Sequence, residues 1–98
     1  MIQNKEKLIS IMRQLDNIVE KSFHAKIIGI FGSYARNEQT DKSDLDVLVR
    51  FMDGATMFDL VSLGDFLEEK LGVKIDIVSE RALRKELEKS ILQEVVLV

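Results

Sequence analysis

Residues 31–51, "FGSYARNEQTDKSDLDVLVRF", decide the fold, because they connect two apolar, strand-like runs through a polar turn. The run Ala25–Phe31 is short and rich in β-branched residues, and it predicts a buried strand that stops at the Gly-Ser pair. Residues 44–51 predict a second strand, which ends in the turn sequence Met-Asp-Gly. Two aspartates, Asp44 and Asp46, open this second strand. The stretch therefore combines a strand-turn-strand unit with carboxylates that need a physical explanation.

Helical patterns lie on both sides of this unit. Apolar residues recur at intervals of three and four over residues 5–20, and they predict an amphipathic helix. Downstream, Thr56 followed by Asp59 is a near match to a capping box, and the helical stripe behind it runs to Leu71. Gly72 then predicts the end of this second helix.

The last quarter of the chain predicts one more strand and one more helix. Residues 73–79, "VKIDIVS", have the strand pattern, and residues 80–95 predict a helix for which Ser79 is a candidate cap. Residues 95–98, Val-Val-Leu-Val, either complete that helix or form a short strand. We therefore expect an α/β (α+β) fold, with a small three-stranded mixed sheet flanked by helices, in a single domain spanning residues 1–98.

Composition excludes several classes of protein. The chain has 14 basic and 17 acidic side chains and a net charge of -3, so a direct nucleic-acid substrate is not expected. It contains no cysteine, which excludes a disulfide framework and a thiolate metal site. No apolar stretch approaches the ~20 residues of a membrane span, and the N-terminal residues mix charges into their apolar pattern, unlike a signal peptide. We expect a cytoplasmic protein with no membrane partner.

The aspartates predict a metal site. Because side chains alternate along a strand, Asp44 and Asp46 share one face, and Asp76 in the third strand joins them if the two strands are neighbours. Two unit charges ~4 Å apart repel by roughly 4 kcal/mol at an effective dielectric constant of about 20. Carboxylate oxygens suit hard divalent ions. The predicted counter-charge is one or two Mg²⁺ ions.

The Gly-Ser pair predicts a phosphate-binding turn. Gly32 permits a close approach to the backbone directly after the first strand, and the N–H groups of the turn that continues through Ser33 can hold an anion. A phosphate site opposite carboxylates that hold divalent ions is the arrangement that phosphoryl or nucleotidyl transfer needs.

At these residues the sequence resembles the minimal nucleotidyltransferases of the DNA polymerase β-like superfamily. The signature of that family is Gly-Ser, ten residues, and then Asp-x-Asp, and Gly32, Ser33, Asp44 and Asp46 reproduce this spacing. The third carboxylate of the family matches Asp76 within "KIDIV". The wider strings "GSYAR" and "SDLDVLV" are also typical, and the similarity extends from the first helix to the last residue.

The resemblance implies a Mg²⁺-dependent nucleotidyltransferase that passes AMP from ATP to a hydroxyl and releases pyrophosphate. Asp44 and Asp46 would then hold the metals, with two ions present when nucleotide is bound. Asp76 would complete the site and help to deprotonate or orient the attacking hydroxyl.

The same resemblance implies roles for the turn. Gly32 and Ser33 would bind the β- and γ-phosphates. Arg36 either reaches the triphosphate or is a surface arginine beside Glu38. Many members carry Gly where this chain has Asn37, and Asn is the non-glycine residue that best tolerates a positive φ, so we expect the turn to be preserved.

Members of this length are similar to the antitoxins of two-component toxin-antitoxin pairs, whose partner is a HEPN-type RNase toxin. The resemblance implies that the antitoxin adenylylates a tyrosine of the toxin. The alternative is a non-catalytic antitoxin, or nucleotide-binding interaction protein, that neutralises its partner by occlusion. A third possibility is transfer to a small molecule such as an aminoglycoside.

Three further residues have open assignments. Tyr34 either stacks on a base or covers the sheet, and Lys42 is either solvated or in contact with phosphate. His24, the only histidine, is expected at the surface.

Overall fold

The computed structural model describes residues 4–98, so the first three residues of the predicted domain lie outside it. The elements follow in the order α1 (Lys5–Gln14), α2 (Asp16–Phe23), β1 (Ala25–Phe31), α3 (Gly32–Ala35), β2 (Leu45–Phe51), α4 (Met57–Leu71), β3 (Ile75–Ser79), a 3₁₀ turn (Glu80–Ala82), α5 (Lys85–Glu94) and β4 (Val96–Leu97). Among residues 4–98, none of the helices combines the length and the apolar character that a membrane span needs.

The strands form one mixed sheet in the order β3-β2-β1-β4. β1 is antiparallel to both β2 and β4, whereas β2 and β3 are parallel. The prediction of a mixed sheet is confirmed, but the predicted number of three strands is wrong. The fourth strand forms because Val96 and Leu97 pair with Ile30 and Gly29. Gly29 permits this pairing, since a Cβ there would collide with the carbonyl oxygen of Val96.

This topology brings the end of β1 and the starts of β2 and β3 to the same end of the sheet. β1 is antiparallel to β2, so its last residue, Phe31, lies opposite Asp46 near the start of β2. β3 is parallel to β2, so it begins at the same end, and Asp76 is the register partner of Asp46. The expectation that the two aspartate-bearing strands are neighbours is confirmed.

The hydrophobic core lies on one face of the sheet, beneath α1, α2 and α4. Along β2, Leu45, Val47 and Val49 point into this core, and Asp46 therefore points to the opposite face. The helices contribute buried apolar side chains to the same cluster, namely Leu8, Met12, Val19, Leu63, Leu67 and Leu71. Strand alternation thus keeps the aspartate out of the apolar core, although it lies within a central strand.

The predicted helix over residues 5–20 is two helices. The break falls at Leu15, whose N–H donates to the carbonyls of both Ile11 and Met12, at 3.2 and 3.1 Å. This shared hydrogen bond tightens the helical turn, and a new helix then starts, in which Val19 N–H donates to Leu15 at 2.9 Å.

The predicted helix over residues 80–95 is also interrupted. Leu83 and Arg84 have extended backbone, so the 3₁₀ turn ends before them and α5 begins at Lys85. The physical reason is topological, because β3 and β4 lie at opposite edges of the sheet and the chain between them must cross it. Ser79 precedes the 3₁₀ turn, and its side chain makes no capping hydrogen bond.

The predicted limits of α4 are confirmed. Thr56 and Asp59 form a capping box, in which Thr56 N–H donates to Asp59 Oδ2 at 2.8 Å. Gly72 ends the helix with φ +72°, and its N–H donates to the Glu68 carbonyl at 2.9 Å. His24 lies nearby at the surface, as expected, with its Nδ1 3.6 Å from Oδ1 of Asp59.

Candidate active site

The turn after β1 is shaped by contact with Asp46. Gly32 has φ +75°, which L-residues with a side chain rarely adopt. A Cβ at this position would also collide with Oδ2 of Asp46. The close approach expected of Gly32 is therefore made by a carboxylate of the same site, and a side chain here would both strain the backbone and displace that carboxylate.

Asp46 lies at the centre of a group of like charges. Its pKa is raised from 3.8 to about 6, first by burial, then by the charge of Asp76 and a hydrogen bond with that carboxyl group, and then by the charge of Asp44. The charge of Arg36 opposes these effects in part. Asp46 is half-buried, whereas Asp44 and Asp76 are exposed.

The three aspartates are brought together unequally. Asp46 and Asp76 lie side by side on adjacent strands, whereas Asp44 precedes β2, which starts one residue later than predicted. Asp44 acts on Asp46 through its charge. Within residues 4–98, no group of three or more Asp, Glu, His or Cys side chains is already arranged to hold a metal ion. The assignment of these aspartates as metal ligands stays a prediction.

Ser33 and Asn37 lie in the turn that separates the two halves of the site. Ser33 belongs to the single helical turn α3, and its carbonyl accepts a hydrogen bond from Glu38 N–H at 2.8 Å. Asn37 has φ +59°, so the expectation that it preserves the turn in place of glycine is confirmed. The contact of Ser33 with phosphate stays a prediction.

Arg36 is held by two glutamates. Its Nε donates to Oε2 of Glu38 at 3.3 Å, and its Nη1 donates to Oε1 of Glu94 at 2.6 Å. The first contact is the surface pairing considered from the sequence, and the second was not predicted. The sequence alone does not indicate the contact of Glu94 with Arg36. This contact depends on the pairing of β4, which brings the end of α5 beside the turn.

The remaining candidates flank Asp44. Tyr34 is 3% exposed and packs in the core, so it covers the sheet rather than presenting its ring to a base. Burial and the charge of Asp44 raise its pKa. A cavity of about 400 Å³ opens beside it and is lined by residues that include Lys42, Ser43 and Lys74. The lining also includes the acidic Asp41, and none of Asp44, Asp46 and Asp76 is part of it.

The raised pKa of Asp46 predicts a specific pH dependence of stability. The folded protein binds this proton more tightly than the unfolded chain, so the contribution of Asp46 to stability falls as the pH rises from about 4 to about 6. We expect Asp46→Asn to exceed wild type in free energy of unfolding by about 1 kcal/mol at pH 7, after allowance for solvent screening. The difference should shrink towards pH 4. Urea unfolding without divalent ions measures it.

Asp65→Asn is the control for this series, because Asp65 is an exposed aspartate on α4. Its stability should follow the wild-type profile. If the free energies of unfolding of wild type and Asp46→Asn changed with pH in parallel, the electrostatic cost assigned to Asp46 would be contradicted.

The contact between Gly32 and Asp46 predicts an unusually costly glycine substitution. Gly32→Ala combines backbone strain of about 1–2 kcal/mol with a collision against the Asp46 carboxylate. Gly54→Ala is the matched control, because Gly54 has φ +91° but a Cβ added there would meet no atom within 4 Å. We expect Gly32→Ala to lower the free energy of unfolding by at least about 1 kcal/mol more than Gly54→Ala. Equal losses in chemical denaturation would show that the collision is relieved without cost.

Sequence comparisons agree with this geometry. Residues 6–98 match the family model of the nucleotidyltransferase domain. Protein adenylyltransferase MntA of Thermococcus cleftensis is 34% identical over 93 residues, which cover 95% of this chain and 94% of that protein. MJ0128 of Methanocaldococcus jannaschii, to which a protein adenylyltransferase activity is ascribed, is 40% identical over 84 residues, which cover 86% of each chain.

Several solved structures share the fold, and two of them differ widely in their identity to this chain. One, assigned as a minimal nucleotidyltransferase, matches with a TM-score of 0.84 and 36% identity, covering 98% of this chain and 97% of that one. The other is a complex of a tri-AMPylated Shewanella oneidensis HEPN toxin with an MNT antitoxin. It matches with a TM-score of 0.59 and 21% identity, covering 96% of this chain and 67% of that one. The chain belongs to the nucleotidyltransferase domain family and is a nucleotidyltransferase of the minimal α+β type.

Proposed function

We propose that this nucleotidyltransferase uses Mg²⁺ and ATP to adenylylate a hydroxyl group, a tyrosine of a HEPN-type RNase toxin, and so acts as the antitoxin. The observation that supports the proposal is that Gly32, Asp46 and Asp76 lie close together at the same end of the sheet. The names of the relatives support adenylyl transfer to a protein, and the AMPylated toxin complex with the same fold supports the class of partner.

The carboxylates fit a divalent ion. Asp44, Asp46 and Asp76 offer oxygen ligands, which suit Mg²⁺. The pKa of Asp46 is raised first by burial and then by the negative charges of Asp76 and Asp44, and a bound cation would offset these charges. These three residues would hold the metal, with two ions in the presence of nucleotide. Bound Mg²⁺ supplies charge neutralisation on the phosphates and lowers the pKa of an attacking hydroxyl.

The protein groups have separate tasks in the transfer. The hydroxyl oxygen forms a bond to the α-phosphorus of ATP, the bond between the α-phosphorus and its bridging oxygen to the β-phosphorus breaks, and pyrophosphate leaves. Asp76 is exposed beside Asp46, and it is the group we assign to orient the hydroxyl and accept its proton. Gly32 and Ser33 lie at the turn that faces Asp46, where they would hold the β- and γ-phosphates. The N–H of Gly32 itself donates to Glu94, so at Gly32 the contribution would be the room for a close approach to the backbone.

Divalent ion should stabilise the fold. A ligand that binds only the folded protein adds about 1.4 kcal/mol at ten times its dissociation constant. We expect millimolar MgCl₂ to raise the melting temperature of wild type and of Asp65→Asn, and to raise that of Asp46→Asn much less. NaCl at matched ionic strength controls for screening. Absence of a Mg²⁺-specific shift, with and without AMP-PNP, would argue against the metal site.

The transfer itself is tested with purified protein, α-³²P-labelled ATP, MgCl₂ and a candidate HEPN-type partner. Wild type and Asp65→Asn should label the partner, a partner tyrosine→Phe variant should lose the label, and EDTA should abolish it. Asp44→Asn and Asp46→Asn should reduce labelling by at least about 100-fold, because each removes a charged metal ligand.

A cellular assay separates enzyme from occluding protein. If Asp44→Asn still protects cells from the partner and wild type transfers no label, the chain neutralises its partner by occlusion and adenylyl transfer is wrong. Label appearing on a small-molecule acceptor but not on protein would redirect the proposal to small-molecule substrates.

A further inference from the structure

We propose that Glu94 is a positioning residue of the nucleotide site, which holds the Gly32 turn in place from the side opposite Asp46. The inference rests on the proposed function for its readout, nucleotide binding. It makes the end of α5 and the start of β4 part of the site, although neither element carries a residue of the Gly-Ser or Asp-x-Asp motifs.

The register of the edge strand explains why Glu94 reaches this turn. Gly29 pairs with Leu97 and Ile30 pairs with Val96, so each step forward on β1 meets one step back on β4. The pairing brings the residues that precede β4 alongside the end of β1, and Glu94, the last residue of α5, reaches Gly32 through its side chain. The backbone ladder has ended there, and Gly32 N–H donates instead to Oε1 of the Glu94 side chain at 3.0 Å. The Glu94 carboxylate therefore accepts the hydrogen bond from the first residue of the turn, where no partner strand is present among residues 4–98.

The same oxygen holds the far end of the turn. Arg36 Nη1 donates to Glu94 Oε1 at 2.6 Å, a short charge-assisted hydrogen bond. Arg36 is also the C-cap of α3, and its backbone N–H donates to the carbonyl of Gly32 at 3.2 Å. One carboxylate oxygen thus joins both ends of the single helical turn. The ion pair with Arg36 is exposed to solvent, with 46% of the Arg36 side chain and 32% of the Glu94 side chain accessible, whereas the hydrogen bond from Gly32 is partly buried.

The position of this turn matters because Gly32 has no spare room on its other side. Its α-carbon faces the Asp46 carboxylate so closely that no Cβ would fit. Gly32 is therefore located between two carboxylates, that of Asp46 on β2 and that of Glu94 at the end of α5. Loss of the Glu94 contact would free the turn to move relative to Asp46, and it would also release the guanidinium of Arg36 towards Glu38.

Glu38 provides a control, because it shares the contact with Arg36 but not the contact with Gly32. Both glutamates accept a hydrogen bond from Arg36, but Gly32 N–H donates to Glu94. Comparing the two residues separates neutralisation of Arg36 from support of the turn.

The test measures AMP-PNP binding by calorimetry in the presence of MgCl₂, together with KM for ATP and kcat in the labelling reaction. We expect Glu94→Ala to weaken AMP-PNP binding about tenfold and to raise KM by a similar factor, with a smaller change in kcat. Glu94→Gln should fall between wild type and Glu94→Ala, because its amide oxygen still accepts from Gly32 but lacks the charge for Arg36. Glu38→Ala should stay within about twofold of wild type.

Urea unfolding of each variant separates weakened binding from lost folding, and Glu94→Gln decides the matter if Glu94→Ala does not fold. Equal affinities of the Glu94 variants and Glu38→Ala would overturn the inference while leaving the proposed function intact. Tighter binding by Glu94→Ala would also overturn it, since Glu94 would then be a competitor of phosphate. If wild type itself binds no nucleotide, the proposed function fails first, and the positioning role fails with it.

Discussion

The contact between Gly32 and the Asp46 carboxylate is the constraint on which the site depends. It links the two halves of the motif physically, because the turn after β1 can approach β2 only where a side chain is missing. The antiparallel register of β1 and β2 supplies the approach, and the positive φ of Gly32 turns the chain away immediately afterwards. The spacing between the Gly-Ser pair and the Asp-x-Asp motif therefore reflects the geometry of two neighbouring strands and the turn between them.

The site also shows how a small protein accommodates charge repulsion. Asp46 occupies a central strand, yet alternation directs it away from the apolar cluster formed by Leu45, Val47 and Val49. The remaining cost comes from partial burial of the carboxylate and from the charges of Asp76 and Asp44, and it appears in the raised pKa of Asp46. A domain whose net stability is typically about 5–15 kcal/mol can carry such a cost when the cost is local and a ligand relieves it.

The sequence was sufficient for the parts governed by local periodicity. The direction of Asp46 away from the apolar core, the limits of α4 at Thr56 and Gly72, and the positive φ of Asn37 all follow from short-range rules. The parts that failed depend on distant pairing. The fourth strand, the interruption before α5 and the contact of Glu94 with Gly32 each require knowledge that β4 lies beside β1, and two residues of strand pattern cannot specify a partner. The break at Leu15 is different, since a shared hydrogen bond leaves no mark in the apolar periodicity.

Helix α5 gives the molecule an uneven distribution of local stability. None of its residues is fully buried, and Leu87 and Leu92 remain about half exposed, so little apolar area opposes its detachment from the sheet. Segments of this kind open by local unfolding, at a free energy well below that of the whole fold, whereas the strands beneath open only with global unfolding. Amide exchange should therefore proceed through two separate processes in this one small chain, and the faster one includes the helix that ends in Glu94.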